Sequence, residues 1–251
     1  EMLRSLVGSE MCIRDRFDGE ILHATGLGTN VPLSKLNGGR PFVLLDACEE
    51  TPTVDAVNFP NEEAERAAMQ HLIDRGCRNI AIVGHRFAPR ADLAHAQNAF
   101  ALRLRGACGA LSDAGLPYDE SMVFEAGDVA NGIIAGHAIA ERILAARSGH
   151  GGTEFDGACC ANDFAEFGVI RGLADRGLRV PQDVKVIGFD GVTSGSYTTP
   201  ALSTIQVDFT QLAKFSVDML SERIDHGADE ALPPRRAIIG YQLVDRESTA
   251  V

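Results

Sequence analysis

Polar side chains that can form several hydrogen bonds stand where three apolar segments of the sequence end. Asn162 and Asp163 follow DGACCA, and Asp190 closes KVIGFD. Arg103 lies in the helix-entry region after NIAIVG. A carboxylate accepts hydrogen bonds, a guanidinium donates through a planar fork, and an amide does both. If the three segments are strands of one sheet, these four residues form a candidate binding site.

Each of these residues also has a purely structural interpretation, and the sequence leaves both interpretations open. Asn162 or Asp163 can cap a helix, because short polar side chains accept hydrogen bonds from the first free backbone amides. Asp190 can be a turn residue, and Arg103 can be a solvated residue on a helix.

Motifs for catalysis are missing from the sequence. It contains no HExxH pair, no GxxxxGK[ST] loop and no GxSxG elbow, since GVTSG puts Ser194 in the wrong place. The GLG at 26–28 lacks the remaining glycine and the flanking strand and helix of a dinucleotide site. The 7 histidines and 6 cysteines show no metal-ligand spacing. The sequence therefore favours a binding protein over an enzyme and predicts neither a cofactor nor a metal.

Composition limits the partners of the chain. Its 251 residues can bury a sizeable core in one domain or two small ones. No apolar run reaches ~18 residues, so no membrane span is predicted. The formal net charge is -12, and so acidic a surface repels DNA phosphates, which bind clustered Lys and Arg. This polypeptide is therefore not expected to bind nucleic acid by itself. Cysteines without a pairing pattern fit a cytoplasmic location.

Apolar runs and helical patterns alternate from Phe17 onward. NEEAERAAMQHLIDRG is predicted to be a helix that Asn61 can cap and Gly76 can close. Further helices are predicted after NIAIVG, MVFEAG, DGACCAN and ALSTIQVD. The predicted strands are FDGEIL, PFVLLDA, NIAIVG, MVFEAG, DGACCAN, DVKVIGFD, ALSTIQVD and RAIIGYQLVD. This alternation predicts an α/β fold with parallel sheets covered by helices on both faces. Ligands of such sheets bind beyond the carboxyl ends of the strands.

One long stretch carries a family resemblance. ANDFAEFGVIRGLADRGLRVPQDVKVIGFDGVTSGSYTTPALSTI resembles the most characteristic part of the LacI/GalR repressor family. LRLRGACGALSDAGLP resembles the R-x-x-G helix of that family, and RAIIGYQLVDREST resembles its closing strand. Family-like sequence extends from Phe17 to Ala250.

The resemblance implies the type I fold of periplasmic sugar-binding proteins. In that fold two doubly wound parallel-sheet subdomains, joined by three crossovers, enclose a ligand cleft. The first subdomain, expected to be incomplete, would comprise residues 17–60 and 208–233. The C-terminal subdomain would comprise residues 61–207 and 234–251. Residues 1–16 contain SLVGSEMCIRDR, which resembles a translated sequencing adapter and is expected to carry no information about the fold.

The resemblance also implies a function. The chain would be the effector-binding domain of a LacI-type transcriptional regulator, a ligand-controlled homodimer. Operator DNA would be bound by a helix-turn-helix headpiece expected before FDGEIL, and not by this fragment. The effector would be a sugar or sugar derivative, held by Arg103, Asn162, Asp163 and Asp190. A periplasmic sugar-binding protein of a transport system is the alternative, although the pattern GLRVPQDV–GFD–TPALSTI is more typical of regulators.

Three positions depart from the family pattern. Val129 stands where the family often has an aromatic residue shortly after its GD. Pro60 stands where Asp often precedes the Asn at 61, and Val207 stands where Gln is common. These differences leave the identity of the effector open, including a smaller or phosphorylated ligand.

Overall fold

The computed structural model describes residues 17–24, 40–49, 51–226 and 232–250. The chain divides into two compact units. The first comprises Glu1–Asn58 and Phe209–Ile239, and the second comprises Phe59–Asp208 and Gly240–Val251. SLVGSEMCIRDR and the GLG at 26–28 lie outside the described residues.

Strands and helices alternate along most of the described chain. The strands are β1 (Glu20–His23), β2 (Phe42–Leu45), β3 (Asp55–Asn58), β4 (Ile80–Val83), β5 (Val123–Phe124), β6 (Gly157–Cys160), β7 (Lys185–Asp190), β8 (Ser203–Val207), β9 (Arg236–Ile238) and β10 (Tyr241–Val244). The helices are α1 (Asn61–Asp74), α2 (Arg90–Leu93), α3 (Ala99–Asp113), α4 (Val129–Arg147), α5 (Asp163–Ala174) and α6 (Phe209–His226). Short 3-10 turns are formed by Glu120–Met122, Thr193–Ser196 and Glu247–Thr249. The predicted α/β class is confirmed.

The first unit contains a parallel sheet of 4 strands in the order β1-β2-β3-β9. Val43 and Leu44 of β2 are almost completely buried, as are Ala56 and Val57 of β3. Helix α6 packs against β1, β2 and β3. A continuous apolar run in each central strand is typical of parallel strands that are covered by helices.

Asp55 anchors three elements of the first unit. Its fully buried carboxylate pairs with Arg223 of α6 at 2.8 Å and with Arg235, just before β9, at 2.9 Å. Burial by itself would raise the pKa of Asp55, but the hydrogen bonds from Arg223 and Arg235 outweigh burial and lower it. The ionised carboxylate therefore stabilises the position of β9 beside β3.

The second unit contains a sheet of 6 strands in the order β10-β8-β7-β6-β4-β5. Neighbouring strands are parallel except β10, which pairs antiparallel with β8. The carboxyl ends of β4, β6 and β7 therefore lie along one edge of this sheet.

Helices cover both faces of the second sheet, as the alternation predicted. Successive side chains of a strand point to opposite faces. Cys160 packs in the core with residues of α4 and α5 such as Ile139 and Val169. The adjacent Cys159 donates a hydrogen bond to Glu65 of α1 at 3.3 Å. Helices α1 and α3 pack together on the face to which Cys159 points, and α4 and α5 pack together on the face to which Cys160 points.

Three details differ from the sequence prediction. RAIIGYQLVD is not one strand: β9 pairs with β3 in the first unit and β10 with β8 in the second. The third passage between the units accordingly lies at Ile239–Gly240, whereas the sequence placed it at 233–234. DAVN forms β3, a strand that the sequence reading missed.

Asn61 does not cap α1. Pro60 occupies the N-cap position without a side-chain hydrogen bond, and Asn61 is the first helical residue. The side chain of Asn61 is taken up instead by Arg103, whose Nε donates to Asn61 Oδ1 at 2.8 Å. No helix in the described parts of the chain is long and apolar enough to cross a membrane.

Candidate ligand-binding site

A cavity of about 520 Å³ opens beyond the carboxyl ends of β4 and β5 in the second unit. Its walls come from the segments that follow these strands and from the first turns of α3 and α4. The lining residues are Gly84, His85, Arg86, Phe100, Glu125, Ala126, Gly127 and Asn131. The carboxyl edge of a parallel sheet is where α/β proteins commonly bind small molecules, and the volume suits such a ligand.

The lining of this cavity combines charge, hydrogen-bonding capacity and an aromatic surface. Phe100 leaves 41% of its surface exposed. Arg86 and Glu125 have no side-chain hydrogen bond or ion pair to any described residue. A guanidinium, a carboxylate and the amide of Asn131 together can donate to and accept from a polar ligand. The sequence does not single out these residues. Arg86 stands two residues after the predicted strand NIAIVG, and Glu125 falls inside the predicted strand MVFEAG, whereas the observed strand β5 ends at Phe124.

Arg103 is 7% exposed and lies in the second turn of α3. Its Nη1 donates to the carbonyl oxygen of Ala161 at 2.5 Å, and its guanidinium carbon lies 3.6 Å from the ring centre of Phe189. With Asn61, these are the partners of Arg103 among the described residues, and none carries a charge. Arg103 is therefore a nearly buried cation and not the solvated helix residue of the simpler interpretation.

Asp190 ends β7 in an unusual backbone conformation. Its φ is 115°, and Gly191 follows with a φ of 79°. A side chain at positive φ costs free energy, and such strain is concentrated at functional sites. Gly191 is also required by space, because a Cβ at this position would lie 2.6 Å from the Cα of Gln206 on β8. The turn at Asp190–Gly191 is thus fixed by its neighbours.

Asn162 is the N-cap of α5. Its side-chain oxygen accepts a hydrogen bond from the backbone amide of Ala165 at 2.7 Å. The capping interpretation therefore holds for Asn162, and its amide nitrogen is the group left to contact a ligand.

Asp163 differs more strongly from the expectation, because it is completely buried. Its Oδ1 accepts from the hydroxyl of Thr204 at 2.6 Å, and its Oδ2 accepts from the backbone amide of Val192 at 2.7 Å. Both carboxylate oxygens are therefore used inside the protein. Asp163 holds the segment after Asp190 against β8 and does not face a ligand directly.

The four predicted residues converge on the ends of β6 and β7. Arg103 bonds to Ala161, the residue before Asn162, and covers Phe189, the residue before Asp190. None of the four lines the cavity of β4 and β5 directly. The two groups are neighbours, however. Arg103 follows Phe100 by one turn of α3, and a Cβ on Gly84 would lie 2.7 Å from the Cβ of Ala161.

A buried polar pair lies at the cavity wall, formed by His85 of the lining and Glu65. His85 is 1% exposed, and its Nε2 lies 3.7 Å from Oε1 of the fully buried Glu65. Neither ring nitrogen of His85 forms a hydrogen bond to a described residue, and its ring packs edge-on to Phe100 at 6.1 Å. Within the described residues no group of histidine, cysteine and acidic side chains has the arrangement of a metal site.

Comparison with known proteins places the chain among regulators. The periplasmic binding protein-like domain matches residues 69–249. The HTH-type transcriptional repressor PurR of Aliivibrio fischeri strain MJ11 is 28% identical over 215 residues, which are 85% of this chain and 60% of that protein. The chain thus spans about 60% of the length of this curated relative.

Solved structures resemble the chain over nearly its whole length. A LacI-type transcription regulator from Bifidobacterium animalis subsp. lactis is 30% identical with a TM-score of 0.77, covering 97% of this chain and 84% of that one. The transcriptional regulator CelR in complex with cellobiose is 27% identical with a TM-score of 0.74, covering 93% of this chain and 66% of that one. Both structures are of transcriptional regulators.

Proposed function

The chain belongs to the periplasmic binding protein-like family and, within it, to the LacI/GalR-type regulators, and on this premise we propose that it binds the small-molecule effector of a transcriptional regulator. The observation that carries the proposal is the state of Arg103. A guanidinium that is 7% exposed has only uncharged partners among the described residues.

Arg103 has capacity left for a ligand. Removing a cation from water costs several kcal/mol unless hydrogen bonds and charges compensate. Asn61, Ala161 and the ring of Phe189 supply part of that compensation, while Nη2 forms no hydrogen bond to a described residue. An oxygen of a bound ligand can accept from Nη2, in a charge-assisted hydrogen bond that contributes about 1.5–3 kcal/mol.

The proposed effector is a sugar or a sugar derivative. Vicinal hydroxyls match the fork of Arg103 and the carboxylate of Asp190, and the apolar face of a sugar ring can stack on an aromatic side chain. Phe100 can supply that aromatic surface, since position 129, where the family often has an aromatic residue, is a valine. Asn162 would contribute through its free amide nitrogen, whereas Asp163 would hold the segment that follows Asp190. The cellobiose bound to CelR supports this ligand class.

Regulation would follow from linkage between two binding events. We place the chain in a cytoplasmic homodimer whose DNA contacts are made by a headpiece outside this sequence. Effector binding would alter the spacing of the two headpieces, and operator half-sites tolerate little change of spacing. Effector and operator must then change each other's affinity by the same factor.

The test is calorimetric titration with neutral monosaccharides and disaccharides, phosphorylated sugars and nucleobases. Two variants accompany the wild type: Arg103→Gln, and Arg105→Gln as the matched control on the same helix. Arg105 is partly exposed and pairs with Glu62 on the surface. We expect one sugar to bind the wild type and the control alike, and to bind Arg103→Gln at least tenfold more weakly.

Two results would contradict the proposal. Wild-type affinity in a folded Arg103→Gln variant would remove Arg103 from the site. A nucleobase that binds more tightly than every sugar would overturn the proposed ligand class. A second pair of variants tests the aromatic contact: Phe100→Ala should weaken sugar binding, while Phe164→Ala, at an exposed aromatic residue of α5 outside the cavity lining, should not.

A further inference from the structure

Two acidic side chains are buried side by side on α5. Asp163 and Glu166 are both completely buried and lie one helical turn apart. Both face Gly188 of β7. A Cβ at Gly188 would lie 2.5 Å from Asp163 Oδ1 and closer still to Glu166 Oε2. The absent side chain at 188 thus leaves room for two carboxyl groups against the sheet. Two adjacent buried carboxylates repel each other, so such a pair tends to share one proton.

Hydrogen-bond geometry favours Asp163 as the charged member of the pair. Burial raises the pKa of Asp163, and the hydrogen bonds from Thr204 and the Val192 amide oppose that rise. Thr204 donates its hydroxyl to Oδ1 at 2.6 Å, and the amide of Val192 donates to Oδ2 at 2.7 Å. Each oxygen of Asp163 thus accepts a hydrogen bond, and neither the Thr204 hydroxyl nor the Val192 amide has a closer acceptor among the described residues. A carboxylate with donors at both oxygens is stabilised in its ionised form.

Glu166 has the opposite surroundings. Its Oε2 has no hydrogen-bond partner among the described residues, and its Oε1 lies 3.3 Å from the hydroxyl of Ser248. That hydroxyl has a single proton, and its closer acceptor is the carbonyl oxygen of Val186 at 2.7 Å. Ser248 therefore has no proton left for Glu166, and its oxygen can only accept from it. The remaining consistent arrangement has Glu166 as the donor.

The charged and titratable groups around Glu166 do not provide a counter-ion. Asp163 on the same helix adds a negative charge. Cys159 and Cys160 of β6 have pKa values that burial raises, so both thiols stay neutral. Arg246, before the 3-10 turn that carries Ser248, donates to the carbonyl oxygen of Leu202 at 2.7 Å and forms no ion pair with a described carboxylate. The positive charge of Arg246 lowers the pKa of Glu166, but burial and the charge of Asp163 outweigh this effect. Burial first, and then the charge of Asp163, raise the pKa of Glu166 well above its usual range.

We propose that Glu166 is a neutral carboxylic acid in the folded protein, and that it acts as a positioning residue for the turn after Asp190. Its proton leaves Asp163 as the single charge of the pair, and Asp163 holds Val192 and thereby the ligand-binding turn. Ionisation of Glu166 would bring a second negative charge beside Asp163 and loosen this turn. The consequence for ligand affinity rests on the proposed function, whereas the consequences for stability and for the turn do not.

The first test compares the pH dependence of unfolding in the wild type and in Glu166→Gln, which mimics the neutral acid. A raised pKa means that the folded state keeps a proton which the unfolded chain releases above pH 4.5. The stability of the wild type relative to Glu166→Gln should therefore fall as pH rises above this value. The unfolding equilibrium constants should diverge by up to about tenfold per pH unit. Glu141→Gln, at an exposed ion pair with Arg176, is the control and should show no such divergence. If the free energies of unfolding of the wild type and Glu166→Gln differed by the same amount at every pH, the proposal that Glu166 is a neutral acid would be wrong.

The second test measures hydrogen exchange of the Val192 amide in the same two proteins over the same pH series. We expect protection in the wild type to drop below that of Glu166→Gln toward alkaline pH. Coinciding protection at every pH at which the protein stays folded would overturn the positioning role. Ligand affinity, measured in parallel, should weaken at alkaline pH in the wild type alone. If no tested ligand bound to either protein, the proposed function would be contradicted. The pH dependence of unfolding and the exchange of the Val192 amide would still decide the proposal on Glu166.

Discussion

The guanidinium of Arg103 lies 3.6 Å above the ring centre of Phe189, the residue directly before Asp190. This contact joins α3 to the end of β7 through one cation–π interaction in a buried setting. Arg103 and Asp190, two of the proposed ligand contacts, are therefore both positioned by Phe189. Displacing either of them changes the environment of the other.

This relationship predicts a measurable coupling between Arg103 and Phe189. Arg103→Lys keeps the charge but loses the planar fork, and Phe189→Leu keeps an apolar side chain but loses the aromatic ring. A double-mutant cycle on the free energy of unfolding should give a coupling of about 1–2 kcal/mol. Additive effects, with a coupling near zero, would show that the stacked geometry contributes nothing to stability.

Asp190 should be necessary for ligand binding and dispensable for folding. Its φ of 115° favours glycine, so Asp190→Gly relieves backbone strain while it increases the entropy of the unfolded chain. We expect the free energy of unfolding to stay within about 1 kcal/mol of the wild-type value. Asp190→Ala should also fold. Titration of either variant with the ligand should show no binding, and wild-type affinity would remove Asp190 from the site.

Gly191 should be intolerant of any side chain, for two separable reasons. Gly191→Ala introduces strain at positive φ and a clash with Gln206. Gly115→Ala is the matched control, because Gly115 has a φ of 67° and no atom within 4 Å of the added Cβ. Chemical denaturation should show a loss of about 1 kcal/mol for the control and a larger loss for Gly191→Ala. Equal losses would mean that space at Gly191 is unimportant.

Asp55 should make the first unit sensitive to acid. Its pKa is lowered in the fold, so the stability that it contributes is present above the usual value of 3.8 and is lost as pH falls through the lowered pKa. Asp55→Asn should lower the stability of the first unit by about 3 kcal/mol at neutral pH, because Arg223 and Arg235 lose their shared partner. Below the lowered pKa the two proteins should converge. Hydrogen exchange of the β3 amides provides the readout, and identical exchange at neutral pH would contradict this account.

Sequence patterns predict much of this fold because local signals and tertiary environment agree. The runs IAIV and VIGF are continuous and apolar, and these residues are buried inside a parallel part of the second sheet. Helix α5 begins where Asn162 caps it. DAVN was missed because it is short and contains Asp55, whose charge is compensated by two arginines more than 160 residues away. No local pattern encodes such a partner.

The candidate site was predictable by position but not by role. The structure places Arg103, in the second turn of α3, against Phe189 and so beside Asp190 at the end of β7, while the binding role of both residues stays a prediction. The sequence could not show that the side chain of Asp163 faces inward. Asn162 and Asp163 are adjacent residues of similar type, and only the structure shows that the first caps α5 and the second is buried. Arg86, Glu125 and Phe100 could be recognised only from the cavity. The segments after β4 and β5 and the first turns of α3 and α4 form this cavity, and hydrophobic periodicity gives no sign of it.

The passage from β9 to β10 has a consequence for the order in which the protein is made. Residues 236–244 supply a strand to each sheet, and β9 pairs with β3, which precedes it by about 180 residues. A ribosome must therefore release nearly all of the described chain before either sheet gains this strand. Until then β3 and β8 each expose an unpaired edge, and a nascent chain with two such edges is a natural client for chaperones that shield unpaired strands.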